Sequence, residues 1–457
     1  MPVSEKQWRE VIGDFIPVGM PRPQDLRRIF VDRYENDPTE SILVQLRAGL
    51  LSRLEQPKPY QALLTGCRGS GKSSELMRLA QEVADEFFVV WFDAETTLND
   101  YSVNQFDVLL GIGLAAHKAA HQAGLRPPQK LAENLSKSLA KVVRKYEDRV
   151  GFTLNLNQLL KQVTALFIGA GAGAAAGPAG SALGAATGVM LASTKLELNV
   201  RDEFVRNLEL PANRSAVIGA LNEIIGWAGK RSLKPVLIIV DGLDRVSAAR
   251  ARLLFAESSL LSEPACALIY AAPIEFYFRI GARGANDYFT DYKILPNLPV
   301  VKRPPTGDDW RAERQDDEAA IEVMRKVVRK RLENRGLQQR AVVTDEALDV
   351  MAKMSGGVMR DLIRLFSDAT TFAQALKRER IDEEVARKSV YKHRREMSGR
   401  MTVVHRNALI DVLKEGCLKD GNQTEVEDDL VKALYLLSYQ SGDDAWFDAH
   451  PNLLPVL

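Results

Sequence analysis

Residues Gly66–Ser73 read GCRGSGKS and fit the pattern G-x-x-x-x-G-K-[S/T] of a phosphate-binding loop. A short apolar run at 62–65 precedes the octet, and residues 74–86 carry apolar side chains at helical spacing. The pattern is most specific when it follows a strand and opens a helix, as it does here. The octet therefore predicts a nucleotide-binding loop at the start of an α/β domain.

The residue types of this loop suit a triphosphate. Gly66, Gly69 and Gly71 let the backbone turn its N–H groups toward phosphate oxygens. Lys72 is expected to reach the β- and γ-phosphates, and the Ser73 hydroxyl is expected to bind Mg²⁺. The predicted nucleotide contacts are Gly66, Cys67, Arg68, Gly69, Ser70, Gly71, Lys72, Ser73 and Ser74.

A second apolar run, VLIIV at 236–240, ends on Asp241 within DGLDR. A carboxylate at the carboxyl end of a parallel strand lies at the edge where ligands bind. Asp241 is therefore predicted to hold Mg²⁺, and Asp244 to orient or deprotonate the attacking water. The alternative for Asp244 is a helix-capping aspartate. Asp93 ends the run FFVVWF and is either a further acid at this edge or a turn residue.

Apolar runs along the chain predict an α/β fold with a P-loop NTPase parallel sheet core, a helical lid and a C-terminal winged-helix-like domain. Strands are expected at 62–65, 87–92, 236–240, 267–271 and 292–295, lid helices at 318–334, 345–353 and 359–376, and a hairpin from 434–439 and 445–449. The predicted domains are an N-terminal helical linker at 1–57, an ATPase core at 58–302 with a Gly/Ala-rich insertion at about 150–200, a lid at 303–400 and the tail at 401–457.

With both motifs in view, the chain resembles the AAA+ and STAND branch of P-loop ATPases. DGLDR at 241–245 is similar to the NACHT form of the Walker B strand, and SGGVMRDLIRL at 355–365 is similar to the sensor 2 region of origin-recognition ATPases. The resemblance covers about 60–300 and the lid at about 310–400. It implies ATP and Mg²⁺ as cofactors and Arg360 as a lid residue that reaches the γ-phosphate. The alternative for Arg360 is a surface residue near a helix start.

The chain departs from that family pattern at three points. ALIYAAP at 267–273 lacks the asparagine of a strong sensor 1, and Arg245, Arg279 and Arg283 are only candidates for an arginine finger. Asp241 is followed by glycine instead of a second acid, which predicts slow hydrolysis used as a switch. Because a missing finger is often supplied by a neighbouring subunit in this class, the resemblance implies a homo-oligomer.

The segment from Gln162 to Thr194 has no charged residue and is rich in glycine and alanine. Three interpretations stay open: a low-complexity loop, a packed helical hairpin built on small residues four apart, and membrane contact. Its length would permit one span, but Gly177 and Pro178 interrupt it and no aromatic or basic belt flanks it. Membrane association is therefore not expected.

The composition indicates which kinds of partner and which cellular compartment to expect. The formal net charge is +1, from 61 basic and 60 acidic residues, so the whole chain has no signature of a nucleic-acid binder. Residues 377–406 are locally basic, which fits either a solvated helix face or a contact with nucleic-acid phosphates. Three cysteines without pairing or metal spacing, and an amino terminus without an apolar signal region, predict a cytoplasmic protein.

The five histidines show no spacing typical of metal ligands, and His450 is expected to cap or pack the last turn. Two function classes remain. One is a regulatory ATPase that signals to a protein effector, such as an antiviral defence or stress module, although this chain carries no nuclease or protease signature. The other is a DNA-loading or DNA-remodelling ATPase of the origin-recognition or transposition-helper kind. A membrane-associated ATPase is a weaker third option.

Overall fold

The computed structural model describes residues 23–35, 38–98, 100, 103–135, 137–138, 211–278, 287–418 and 424–457, with positions 8, 11, 13 and 15. The Gly/Ala-rich insertion predicted at about 150–200 lies outside these residues. The chain divides into two compact units, which we call the lid unit (Met1–Val44, Gly66–Glu75 and Ile294–Leu457) and the sheet unit (Gln45–Thr65 and Leu76–Lys293). The four-part division expected from the sequence stays a prediction.

A five-stranded sheet is the centre of the α/β fold. Its strands are β1 (Gln61–Thr65), β2 (Phe88–Asp93), β3 (Val236–Asp241), β4 (Ala267–Ala272) and β5 (Asp291–Ile294), in the order β2-β3-β4-β1-β5. The pairs β1–β4, β2–β3 and β3–β4 are parallel. Each strand predicted for this sheet agrees with the structure to within one residue at each end, because the apolar runs that fill the sheet end where the chain turns to polar residues.

Helices connect and follow these strands. In chain order they are α1 (Pro23–Ile29), α2 (Ile42–Ser52), α3 (Lys72–Glu82), α4 (Ala94–Thr97), α5 (Gln105–Gln122), α6 (Pro211–Ser232), α7 (Ala248–Phe255), α8 (Glu318–Glu333), α9 (Gln339–Val342), α10 (Asp345–Met354), α11 (Met359–Ala375), α12 (Glu383–Ser398), α13 (Val403–Glu415) and α14 (Thr424–Lys432). Within the described residues, no helix combines the length and hydropathy needed to cross a membrane.

The core of the sheet unit lies between the strands and the helices that cover them. Helices α5 and α6 pack against each other and against β2 and β3. Gly111 permits the close approach of α5, since a side chain there would overlap the Phe92 ring. α5 begins with a capping box in which Asn104 and Asp107 exchange hydrogen bonds with each other's backbone N–H. These contacts fix β2 and β3, the two strands that end on Asp93 and Asp241.

The lid unit has its own apolar core, built mainly from α8, α10, α11 and α12. Asp317, Thr344 and Asp382 cap the N-termini of α8, α10 and α12, in that order. α11 begins after Val358 without a side-chain cap. The predicted helices at 318–334, 345–353 and 359–376 agree with α8, α10 and α11 to within one residue. Leu362, Ile363, Phe366, Ala369 and Ala373 of α11 recur at helical spacing and are buried.

The chain ends in a winged-helix-like tail, in which α13 and α14 are followed by an antiparallel hairpin of β6 (Leu436–Ser441) and β7 (Asp444–Ala449). α14 packs on β6 and α13 on β7. The predicted first strand began two residues too early. Leu434 has a φ of +60° and belongs to the turn after α14, and Gly442, with a φ of +56°, forms a tighter turn than the one expected.

Candidate functional site

The phosphate loop directly follows β1, whose five residues are all buried, and leads into α3 at Lys72. Gly69 and Gly71 have φ values of +87° and +107°, a region that favours glycine. The first turn of α3 has N–H groups without partners inside the helix, a feature that binds anions. The local sequence therefore forms the strand, loop and helix that the octet predicts.

The Lys72 side chain lies inside this loop and binds its first two residues. Its side chain is buried, and Nζ donates hydrogen bonds to the carbonyl oxygens of Gly66 at 2.7 Å and Cys67 at 3.1 Å. Ser70 Oγ is also buried, and no described atom forms a hydrogen bond with it. An ammonium group and an unsatisfied hydroxyl inside a glycine turn fit a phosphate, since both can donate to its oxygens.

The other predicted contacts lie in the same turn. Ser73 and Ser74 are half-buried in the first turn of α3, where Ser74 N donates to Gly71 O at 2.9 Å. The Cys67 thiol is buried, and Arg68 is exposed. The structure thus brings the nine predicted residues into one continuous turn, while their contact with a nucleotide stays a prediction.

Arg33 contacts the loop from the segment after α1. Its Nη2 donates to Ser70 O, its Nη1 donates to Pro296 O at 3.0 Å, and its Nε lies 3.6 Å from Glu75 Oε1. The Arg33 and Glu75 side chains are 4% and 8% exposed, so this is a buried ion pair in the first turn of α3. Sequence reasoning missed Arg33, because nothing in its local sequence was recognised as pointing to the loop.

Arg360 also meets the loop, as predicted for a lid residue. It is the second residue of α11, is partly exposed, and its backbone N donates to Gly69 O at 3.3 Å. A Cβ placed on Gly69 would lie 2.7 Å from the Arg360 Cβ, so the loop needs glycine here for space as well as for its φ. Its partly exposed place at the start of α11 also fits the alternative of a surface residue near a helix start, so contact with the γ-phosphate stays a prediction.

In the sheet unit, Asp241 ends β3 at the edge of the sheet where β1 ends at Thr65, and Gly66 is the next residue of the chain. Asp241 is buried and stands in register with Asp93 on β2. Asp244 is half-buried in a 3-10 turn at Leu243–Arg245. It caps neither that turn nor α7, whose cap is Ser247, so the capping alternative finds no support.

Glu95 adds a carboxylate to this edge that the sequence did not single out. Burial raises its pKa; Arg245 lowers the pKa, while Asp93 and Asp244 raise it further. A Cβ on Gly242 would lie 2.6 Å from Glu95 N, which explains the small residue after Asp241. The acids at this edge thus disfavour the ionised form of Glu95.

The remaining candidates are placed differently. Asp93 is the N-cap of α4 and accepts a hydrogen bond from Thr96 N at 3.3 Å, which agrees with its interpretation as a turn residue. Arg245 forms an ion pair with Glu95 of the same chain. Arg279 and Arg283 lie outside the described residues. The source of an arginine finger therefore stays a prediction.

No protein-family model matches the sequence, and no curated protein matches it. Solved structures with a similar fold include Cdc6p from Pyrobaculum aerophilum, with 13% identity, 97% of this chain and 95% of that chain covered, and a TM-score of 0.40. The ORC1 protein of Aeropyrum pernix in complex with DNA has 13% identity, covers 95% of both chains and has a TM-score of 0.41. The Thermotoga maritima RuvB Holliday junction branch migration motor has 12% identity, 88% and 90% coverage and a TM-score of 0.36. TM-scores of this size do not establish a shared function.

Proposed function

We propose that this chain binds and hydrolyses ATP at the phosphate loop. The observation that carries the proposal is the buried Lys72 ammonium, which closes a glycine turn between a parallel strand and a helix. Lys72 would bind the β- and γ-phosphates, and Ser73 and Asp241 would hold a Mg²⁺ that neutralises their charge. Asp244 would position the attacking water.

We further propose that the site works as a slow switch. Arg360 N and Arg33 Nη2 donate to the carbonyl oxygens of Gly69 and Ser70. The peptide units that carry these two carbonyls contain the N–H groups of Ser70 and Gly71. Phosphates that attract these N–H groups would therefore reorient the same peptide units. The start of α11 and the segment after α1 would therefore respond to the state of the nucleotide. Arg360 would stabilise the γ-phosphate from the lid.

Duplex DNA is the partner that we propose ahead of a protein effector. On the basic segment, Arg387, Lys388 and Lys392 form ion pairs with acids, which fits the solvated-face interpretation for that part of α12. Three exposed arginines near the α12–α13 junction form no ion pair with any described acid: Arg395, Arg400 and Arg406. Uncompensated arginines at the start of a winged-helix-like tail suit phosphates. No described residue points to a particular effector or to a defence role.

The first test compares ATP hydrolysis by the full chain and by Lys72→Ala. Removal of one phosphate-binding donor should lower the rate by about 100-fold or more. Arg78→Ala, a half-buried residue of the same helix that pairs with Glu82, is the matched control and should keep the activity. A Lys72→Ala protein that hydrolyses ATP at the wild-type rate would show that the loop is not the site.

The second test adds duplex DNA at two salt concentrations. We expect DNA to stimulate hydrolysis, less so at high salt, because phosphate contacts release counterions. The combined variant Arg395→Ala, Arg400→Ala, Arg406→Ala should lose the stimulation, whereas Arg387→Ala with Lys388→Ala should keep it. Lys72-dependent hydrolysis that ignores DNA would refute DNA as the partner and favour a protein effector. The predicted homo-oligomer, in which a neighbouring subunit would supply the arginine finger, is tested by the dependence of the rate on protein concentration.

A further inference from the structure

Three side chains from distant parts of the lid unit meet in its interior. Asp361 lies on α11, His393 on α12, and His450 directly after β7. They are 4%, 3% and 0% exposed. One carboxylate oxygen and one nitrogen of each imidazole lie within 4.8 Å of one another. We call these three residues the histidine–aspartate cluster, and none of them touches the reacting groups proposed above.

The spacing of the cluster fits a tetrahedral metal ion. His450 Nε2 lies 3.3 Å from Asp361 Oδ2, and His393 Nε2 lies 3.6 Å from the same oxygen. In a tetrahedral zinc site, bonds of about 2.0–2.1 Å place neighbouring ligand atoms about 3.3 Å apart. Two imidazoles and one carboxylate are also a common set of three protein ligands for zinc, with a fourth position for water.

His393 gives an independent reason to expect a ligand. Both of its ring nitrogens are buried, and neither forms a hydrogen bond with a described atom. Its Nε2 lies 3.6 Å from Asp361 Oδ2, which is close but too far for a good hydrogen bond. Buried polar atoms are nearly always satisfied in native proteins, so an unsatisfied imidazole beside a buried carboxylate calls for a further partner. A cation between them would satisfy both.

The metal-free and metal-bound arrangements require different tautomers of His450, with the proton on Nε2 or on Nδ1. Asn452 N donates to His450 Nδ1 at 3.2 Å, which leaves Nε2–H to donate to Asp361. The Ser355 backbone lies close to His450. If Nδ1–H donates to the Ser355 carbonyl, the Nε2 lone pair is available to a metal, and a backbone carbonyl is a usual partner for the second nitrogen of a metal-binding histidine.

We propose that Asp361, His393 and His450 form a buried site for a divalent transition-metal ion, with Zn²⁺ as the metal. The ion would join α11, α12 and the segment after β7. Because Asp361 follows Arg360, it would also fix the first turn of α11, whose backbone contacts the phosphate loop. Its role is structural, and it does not depend on whether the loop hydrolyses ATP.

The test is the metal content of the full chain, purified without a histidine tag and analysed by elemental mass spectrometry. We expect about one Zn²⁺ per chain, removal of the metal by a strong chelator, and a fall in the thermal midpoint that added Zn²⁺ reverses. Chelated protein titrated with Co²⁺ should develop the intense visible absorption of a tetrahedral site. Protein that retains no Zn²⁺ and shows no Co²⁺ band after supplementation would overturn the proposal.

The Zn²⁺ affinity of variants tests whether the metal binds at the histidine–aspartate cluster. His393→Gln should lower the Zn²⁺ affinity by at least about 100-fold, since loss of a mere supporting contact already costs about 10- to 100-fold. The matched control is His405→Gln, which removes a histidine of α13 from the same unit and should bind Zn²⁺ like the wild type. Equal Zn²⁺ affinity in His393→Gln and wild type would place the metal elsewhere. If His393→Gln does not fold, the Co²⁺ spectrum of the wild type decides alone.

Discussion

The phosphate loop and the histidine–aspartate cluster are both buried polar regions of the lid unit, but they are built in opposite ways. The loop uses consecutive residues, and most of its hydrogen-bonding groups belong to the backbone. The cluster uses side chains from separate elements, and His450 and Asp361 are 89 positions apart in the chain. A local motif therefore determines the first region, whereas only the packing of several elements creates the second.

Two adjacent residues of α11 connect this helix to the two regions. Arg360 meets the loop through its backbone N–H, and the side chain of the next residue, Asp361, belongs to the cluster. Substitutions at these neighbouring positions should therefore have separable effects. Changes at Arg360 should act on the nucleotide reaction, and changes at Asp361 should act on the stability of the unit.

Among the substitutions that separate the two regions, Arg360→Ala is expected to have the largest effect. Loss of a charged hydrogen bond to the γ-phosphate should lower the hydrolysis rate by about 10- to 100-fold, because such a bond contributes about 1.5–3 kcal/mol. The unfolding midpoint should change little, since the backbone N–H that contacts Gly69 O is retained. Steady-state hydrolysis and chemical unfolding of the same preparation check both statements.

The control for Arg360 is Arg364→Ala, one turn further along α11. Arg364 forms an ion pair with Glu396 at 2.5 Å and does not contact the loop in the structure. Its loss should leave hydrolysis within about twofold of wild type, in keeping with the small energies of exposed ion pairs. Equal losses of activity in both variants would mean that the helix, and not Arg360, supports the reaction.

The next effect is expected for Asp361→Asn. An amide keeps the shape and one acceptor but removes the buried charge, so the free energy of unfolding should fall by about 2 kcal/mol. The measurement is chemical unfolding in the presence of a chelator, so that bound metal does not contribute. Hydrolysis per folded molecule should stay within about threefold of wild type. A protein with unchanged stability and strongly reduced hydrolysis would show that the two regions are not separable.

The control for Asp361 is Asp345→Asn in the first turn of α10. The Asp345 side chain is 54% exposed and pairs with Arg340, which is 83% exposed. Its loss should cost less than about 1 kcal/mol, as for other surface ion pairs. A similar loss in both variants would remove the distinction between the buried cluster and an ordinary surface pair.

The same contrast explains which features the sequence predicts. The strands, the lid helices and the loop agree with the structure because each depends on neighbouring residues: an apolar run, a helical period or a glycine-rich octet. Arg33 and Glu95 were missed because their partners, Ser70 and Arg245, are far away in the chain. The histidines show no metal spacing along the chain, and such spacing does not report side chains that packing brings together.

Two buried carboxylates, Asp361 and Asp107, have pKa values shifted in opposite directions. Burial alone would raise the pKa of Asp361, but the adjacent imidazoles of His393 and His450 hold it below its usual range. Asp107, in the capping box of α5, has no imidazole partner, and burial raises its pKa to about 7. The environment of a buried carboxylate, rather than its burial, therefore decides whether it stays charged.

The last prediction concerns the pH dependence that Asp107 imposes on stability. Its pKa is raised in the folded state, so the folded protein keeps a proton that the unfolded chain releases above about pH 4. The stability that this proton contributes is complete below about pH 4 and is lost as the pH rises to about 7. The slope is at most about 1.4 kcal/mol per pH unit. Asp107→Asn keeps an acceptor for Asn104 N and should flatten this part of the profile, measured by chemical unfolding at pH 5 and pH 7.5. If the free energy of unfolding differs between pH 5 and pH 7.5 as much in the variant as in the wild type, Asp107 is already ionised in the folded protein.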